Sequence, residues 1–476
     1  MSVYLQSLNK IILNHIKVRS QHYNHCRNIM KKFFIFFVIC LFYSSATVLA
    51  TDVSGTISSN TTWNLAGSPY VVTSSITINH GVTLTIDPGV NVRFDDGQTI
   101  AVLGGLNATN VIFTSNNGSP TSGIWGNFQV GNGNPADSGS VVLNSCQLLY
   151  GSQFVVASGT ATLNGTDISN FTNHTVWIDN WGRFNMTGGN INTNNAGAAA
   201  WGCAVFGIVW SHASLSGVTI QHYSNGVHLN PGATISISDM NITNCGWPIS
   251  FSDGASDFSV SGSNSFTGNG NNAVLINGME LSDTLVLPEI NIPYYFPSGM
   301  QVNPAGCLIV GSNNVLKFQD NTILNINGTL IAEASTGEGI YFTSFRDDNW
   351  GGDANNDGSA TAPATGNWYG IRFSDPSHDA NCLMRRCYVR YAGQDANGGI
   401  TTENASPTID QCDLSNNYYG ICMRYASNPV FTNNTIGSSQ MTPIAMSFEA
   451  DPVMSNNTLS FSDNAYDAIG LLGGDL

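Results

Sequence analysis

Three segments near the C-terminus repeat one frame at an almost fixed interval. They open at Pro407, Pro429 and Pro452, and they carry Ile409, Cys412 and Leu414, then Phe431, Asn434 and Ile436, then Met454, Asn457 and Leu459. The step is 22 and then 23 residues, and Met384, Cys387 and Val389 fit an earlier copy. The frame is an apolar residue, a small or polar residue three later, and an apolar residue five later. Upstream, the leading apolar positions are Leu143, Leu163, Met186, Leu215, Ile237 and Val260. The trailing ones are Leu148, Ile168, Ile191, Ile220 and Ile242, with a less regular close at Ser265 and Phe266. A unit this short cannot bury its own apolar face, whereas stacked copies can. Three short strands and three turns use about this many residues, so like residues should stack about 4.8 Å apart. The frame therefore predicts an all-β solenoid, a parallel β-helix. Cys387, Cys412, Asn434 and Asn457 should form one line through consecutive coils. Asn in such a line can hydrogen-bond to the backbone and side chains of its neighbours. A leucine-rich repeat has a similar period, but it needs many more leucines and helical segments.

A longer repeat overlies the short one. Residues 69–106 match 293–330 at a constant offset of 224, pairing Tyr70 with Tyr294, Phe94 with Phe318 and Leu106 with Leu330. Ile112 to Ser115 then matches Tyr341 to Ser344, and Trp125 matches Trp368 after an insertion in the second copy. The expected organisation is a first β-helix module at 51–285 and a second at 286–476, with an acidic loop inserted at 345–367. The modules are expected either to form one helix or to abut.

Within the first copy, Thr83 to Val90, Gly104 to Leu106 and Ile112 to Ser115 together resemble the opening of secreted bacterial right-handed β-helix repeat proteins of the pectin-lyase-like superfamily. The Asn-Asn-x-Ile coils are similar to its generic repeats. The resemblance spans nearly all of 65–470 and implies a right-handed helix. It is weak for function, because this fold carries lyases, hydrolases, isomerases, adhesins and non-catalytic surface proteins.

Lys31 and Lys32, the apolar run Phe33 to Tyr43, and Val48, Leu49 and Ala50 read as an export signal cut after Ala50. The run is too short to span a bilayer, so no membrane span is expected in the mature chain. Residues 1–29 sit awkwardly before a complete signal and read as an extension, with Met30 the start. Residues 1–50 hold six basic side chains and no acids, so the remainder has 9 basic against 31 acidic residues, a net charge of −22. Lys317 is its only lysine. Such a surface repels phosphate backbones, which argues against nucleic acid, and it attracts cations. The expected localisation is secreted, extracellular or cell-surface. The eight cysteines after residue 50 read mostly as small buried apolar residues; no pairing is legible from their spacing. The tail from Gly470 reads as mid-repeat, which suggests a piece of a longer chain.

The sharpest local motif lies in the insertion. Asp353, Asn355, Asp357 and Gly358 match positions 1, 3, 5 and 6 of an EF-hand-like loop, a pattern suited to Ca²⁺. The acid expected at position 12 is replaced by Ala364, and Asp347 or Asp348 is expected to supply it. Arg385, Arg386, Arg390 and Arg424 are the only basic cluster, read chiefly as partners of nearby acids such as Asp410 and Asp413. Trp177, Trp181, Trp201, Trp210 and Trp247, with His212, His222, Tyr223 and His228, crowd 174–250, where exposed rings can stack on sugars. The Gly-His-Gly and Arg-x-Lys of polygalacturonase-like hydrolases are missing, and no catalytic residue is assigned. The favoured function is non-catalytic binding of polysaccharide or another surface. The alternative is a polysaccharide lyase or glycoside hydrolase. That alternative gains if Arg385, Arg386 or Arg424 shares one outward face with at least two acids.

Overall fold

Each copy of the short frame turns a corner on a left-handed residue two positions after its leading apolar one. Ser145, Gly165, Gly188, Gly217, Asp239 and Gly262 take positive φ in the first half of the chain, and Arg386, Gln411, Asn433 and Asn456 do so in the second. That conformation reverses the side-chain alternation at one point, so the apolar residues on both sides of the corner face inward. In the computed structural model, residues 50–172, 174–193, 202–252, 257–375, 377, 379–459 and 463–473 are described. The expected extension and nearly all of the export signal lie outside them.

Short strands of a right-handed coil of about 18 turns stack through parallel ladders. Leu143, Leu163, Met186, Leu215, Ile237 and Val260 are direct ladder partners in sequence. Leu148, Ile168, Ile191, Ile220 and Ile242 form a second buried line. These rows and their neighbours build one continuous core along the axis. Each fully buried aliphatic contributes about 1.5–3 kcal/mol, and cutting one such as Leu163 to Ala would cost about 2–5 kcal/mol.

The expected line from Cys387 to Asn457 is present. Pairing of Tyr388 with Asp413, Asp413 with Thr435 and Thr435 with Thr458 aligns the four preceding residues. Asn434 Oδ1 accepts from the Cys412 N–H at 2.8 Å, and Asn457 Oδ1 accepts from the Asn434 N–H at 2.9 Å. Asn434 Nδ2 donates to the Ile409 carbonyl at 3.0 Å, and Asn457 Nδ2 to that of Phe431 at 2.8 Å. The corner's orphaned backbone groups are thus satisfied by the next coil. Seven of the eight cysteines after residue 50 are buried, Cys307 is half-buried, and all eight are free thiols.

The 224-residue repeat is visible as duplicated geometry. Phe94 stacks on Trp125 at 4.3 Å, and Phe318 stacks on Trp368 at 4.3 Å. Each indole N–H donates to a carbonyl of the next coil, Leu149 and Arg390 respectively. Tyr70 OH and Tyr294 OH donate to carbonyls six residues back, Asn64 and Pro288. Thr51–Leu476 forms one compact unit. Near the expected module boundary, two faces exchange sheets. A nine-stranded sheet ends with Asp257–Ser261, and two others start at Met279–Leu281 and Thr284–Leu287. The third face runs through, from Trp247–Phe251 by Val274–Ile276 to Tyr294–Phe296.

Candidate functional site

Three clusters could carry chemistry: the inserted acidic loop, the arginine group, and the aromatic face at 174–295.

The loop leaves the core after Ile340–Ser344 and returns before Gly370–Ser374. Asp348, Asp353 and Asp357 each bring one carboxylate oxygen to within 4.8 Å of the others, the one such acid, His or Cys group among the described residues. Asp353 accepts the backbone N–H groups of Asp357 at 3.1 Å and Gly358 at 2.9 Å, so it folds the loop as well as facing the cluster. Asn355 Nδ2 donates to Asp357 Oδ2 at 2.8 Å, and Thr361 donates to the same oxygen at 2.6 Å. Asp348 Oδ1, Asn355 Oδ1 and Asp357 Oδ1 are buried and lack any hydrogen-bond partner. Three orphaned oxygens with no nitrogen among them suit a hard cation, and Ca²⁺ fits this donor set. Asp347 is placed differently from the other four expected ligands. It is fully buried, with one carboxylate oxygen taking the Thr343 hydroxyl at 2.6 Å and the other the Asn349 N–H at 3.1 Å. It anchors the loop to the strand.

Beneath the loop lies a residue whose role sequence reasoning missed. Lys317 is fully buried, and its Nζ donates to the carbonyls of Asp347 at 2.8 Å and Gly352 at 2.6 Å. Burial pushes its pKa down to about 8, against the upward pull of Asp347, Asp348 and Asp353. Asp348 is raised above the ordinary carboxylate range, first by burial and then by Asp353, with Lys317 partly offsetting. The signal available in the sequence was a lone Lys between Leu316 and Phe318 in a strand.

The arginines are paired. Arg385 sits in register between Glu333 and Asp410, at 2.6 and 3.0 Å. Arg390 lies 3.8 Å from Asp413 and over Trp350, and Arg424 lies 3.0 Å from Glu403. Arg385 therefore shares an outward face with two acids, the arrangement under which the enzyme alternative gains. The electrostatics oppose that alternative. Burial disfavours charge on both Asp410 and Arg385, but it is outweighed. Hydrogen bonds from Asn433, Thr432, Gln411 and Arg385 hold Asp410 below the ordinary carboxylate range. Those to Glu333 and Asp410 raise Arg385. A general acid needs a raised carboxyl pKa and a lyase base needs a guanidine that releases its proton readily. This row moves both the wrong way.

The aromatic face is built by register. Trp177, Phe206, His228, Ser250, Leu275 and Tyr295 are successive partners on one sheet. Trp177 and Phe206 lie 4.7 Å apart, and Phe206 stacks on His228 at 5.2 Å and 7°. A parallel row runs His174, Cys203, Asn225 and Trp247. Between them opens a groove of about 520 Å³. Among the described residues that line it none is an acid, Lys or Arg. Burial lowers the pKa of His174 and of His228, the latter also through His174. His174 Nδ1 and Asn225 Oδ1 are buried without partners. Trp181 and Trp210 form a separate ridge, stacked at 4.9 Å and about half exposed, at 53% and 52%. Tyr223 belongs to the core instead, hydrogen-bonded to Thr175, and Trp201 lies outside the described residues.

Residues 354–474 match the family described as right handed beta helix region. The chain is a right-handed parallel β-helix protein. The pectin-lyase-like resemblance fits this fold. Neither the curated proteins nor the solved structures provide a match.

The family match covers only the C-terminal part of this β-helix, residues 354–474, where the short frame is most regular, and it carries no residue role. Phe206, His174 and Asn225 went unremarked in the sequence. The signal was their spacing from Trp177, His228 and Trp247 by whole coils. Among the described residues no helix is long and apolar enough to cross a membrane.

Proposed function

We propose that this β-helix is an extracellular protein that holds a polysaccharide against its outer strand face without cleaving it. The single observation behind this reading is the stacked outward row of Trp177, Phe206 and His228 beside a groove. Aromatic rings combine large apolar contact area with little conformational freedom to lose, and Trp and His also offer polar tips. Pyranose rings, apolar on their C–H faces and polar at their edges, match such a surface. The net charge of −22 after residue 50 keeps nucleic acid and anionic membranes away. The signal ending at Ala50 supports export, and mature protein should begin at Thr51. Ca²⁺ on Asp348, Asn355, Asp353 and Asp357 would order the inserted loop. Asp347 would act only from behind.

The test is affinity electrophoresis of the mature chain through gels containing a panel of soluble polysaccharides, with reducing-end and unsaturated-product assays on the same panel. Retardation without product supports binding. Product formation that disappears in Arg385→Gln would establish the lyase or hydrolase alternative.

A further inference from the structure

We propose that the groove between Cys203–Gly207, Asn225–Leu229 and Trp247–Phe251 is a binding site for an uncharged glycan, with polyuronates excluded. This deepens the polysaccharide reading and rests on it.

Three observations identify the ligand class. The first is the charge of the lining. Among the described residues the groove presents aromatic, amide, hydroxyl, thiol and imidazole groups. Both imidazoles are held towards their neutral form by burial. Nothing there can neutralise a carboxylate, sulfate or phosphate, and burying such a group unpaired is prohibitive. The chain's net charge of −22 adds long-range repulsion.

The second is the pair of buried polar atoms without partners, His174 Nδ1 and Asn225 Oδ1. They lie one coil either side of Cys203, since His174 pairs with Cys203 and Cys203 with Asn225. Two coil steps amount to about 9.6 Å. Asn225 Oδ1 can only accept a hydrogen bond, and neutral His174 Nδ1 accepts in one tautomer. A ligand with several hydroxyl donors spaced along a chain satisfies both, as an oligosaccharide does and a purely apolar ligand does not.

The third is the pair of flanking rings. Phe206 is held flat by stacking on His228, with Trp177 against its other side. Trp247 is held by stacking on Tyr295 at 5.5 Å and 6°, and Tyr295 in turn stacks on Phe345 at 3.7 Å. Both platforms are set before binding, so little side-chain freedom is lost on association. His228 is also fixed by hydrogen bonds shared with Ser250 at 2.7 Å and Asn230 at 3.3 Å.

The test uses the mature chain and three probes of equal length: cellohexaose, mannohexaose and hexagalacturonate. Binding is read by tryptophan fluorescence and calorimetry. At least one uncharged hexasaccharide should bind, and hexagalacturonate should not. Phe206→Ala and Trp247→Ala should each weaken that binding at least tenfold. Either change can disturb folding, so Asn277→Trp provides a second arm. Asn277 is exposed at the groove's rim, and an indole there fills the space while every core contact stays in place. It should block binding while the melting temperature holds. Binding of an uncharged hexasaccharide that survives all three changes, yet falls in a Trp181→Ala/Trp210→Ala variant, overturns the groove and leaves the polysaccharide reading standing. Binding of hexagalacturonate alone overturns the uncharged class. Absence of binding to all three, together with no retardation by any polysaccharide, overturns both.

Discussion

Replacing Asn434 with Ala tests what holds one coil on the next. Asn434 is 1% exposed. Its Oδ1 takes the Cys412 N–H at 2.8 Å, and its Nδ2 gives to the Ile409 carbonyl at 3.0 Å and to Asn457 Oδ1 at 3.1 Å. Alanine leaves the Cys412 N–H buried without its acceptor, a loss of about 1–3 kcal/mol. The weakened Ile409 carbonyl adds about 0.5–1.5 kcal/mol. The expected total is roughly 1.5–4.5 kcal/mol. Thr435 next to it is exposed, and Thr435→Ala should change stability by less than about 0.5 kcal/mol. Each coil touches only its neighbours, so the damage should stay local. Hydrogen exchange should show faster amides across 412–459 and unchanged amides across 140–260, and urea unfolding should report the energy. A loss under about 0.5 kcal/mol, or faster exchange spread evenly over both halves, would refute the view that the asparagine line bonds coil to coil.

Three further outcomes are expected. Calorimetry should detect Ca²⁺ binding, chelator should speed proteolysis near Gly351 and Gly352, and Asp353→Ala/Asp357→Ala should abolish both; at 100 times Kd the ion would add about 2.7 kcal/mol, and silence at millimolar Ca²⁺ would remove the site. Lys317, with a folded pKa of about 8 against 10.5 when unfolded, binds fewer protons folded than unfolded within that window, so its contribution to stability should rise from pH 8 to 10.5 by up to roughly 1.4 kcal/mol per unit. The stability difference between wild type and Lys317→Met should grow by about 3 kcal/mol over that range, and a pH-independent difference would contradict the buried ammonium. Arg385→Gln breaks two ion pairs whose side chains are 12–42% exposed, so solvent screening limits the loss to about 1 kcal/mol in urea unfolding, with glycan retardation unchanged because the row lies on another sheet.

The short frame alone determined the fold class, the parallel stacking and the register of every line named from it. The reason is that a period of 20–23 residues has one economical way to bury its apolar positions, and equivalent positions then meet automatically. The long repeat likewise matched Phe94 with Phe318 and, past the insertion, Trp125 with Trp368, but that each Phe stacks on its Trp was shown only by the structure. The acidic loop was legible as a motif because its ligand spacing is local. Which of its acids faces inward was decided by the fold, since Asp347 and Asp348 are neighbours in sequence and point to different partners. Lys317 under that loop, the Glu333–Arg385–Asp410 row and the His174–Asn225 groove depend on residues one to three coils apart. Sequence spacing names the coil but not the neighbour that loops and left-handed corners bring against it, so only the tertiary structure could assemble them.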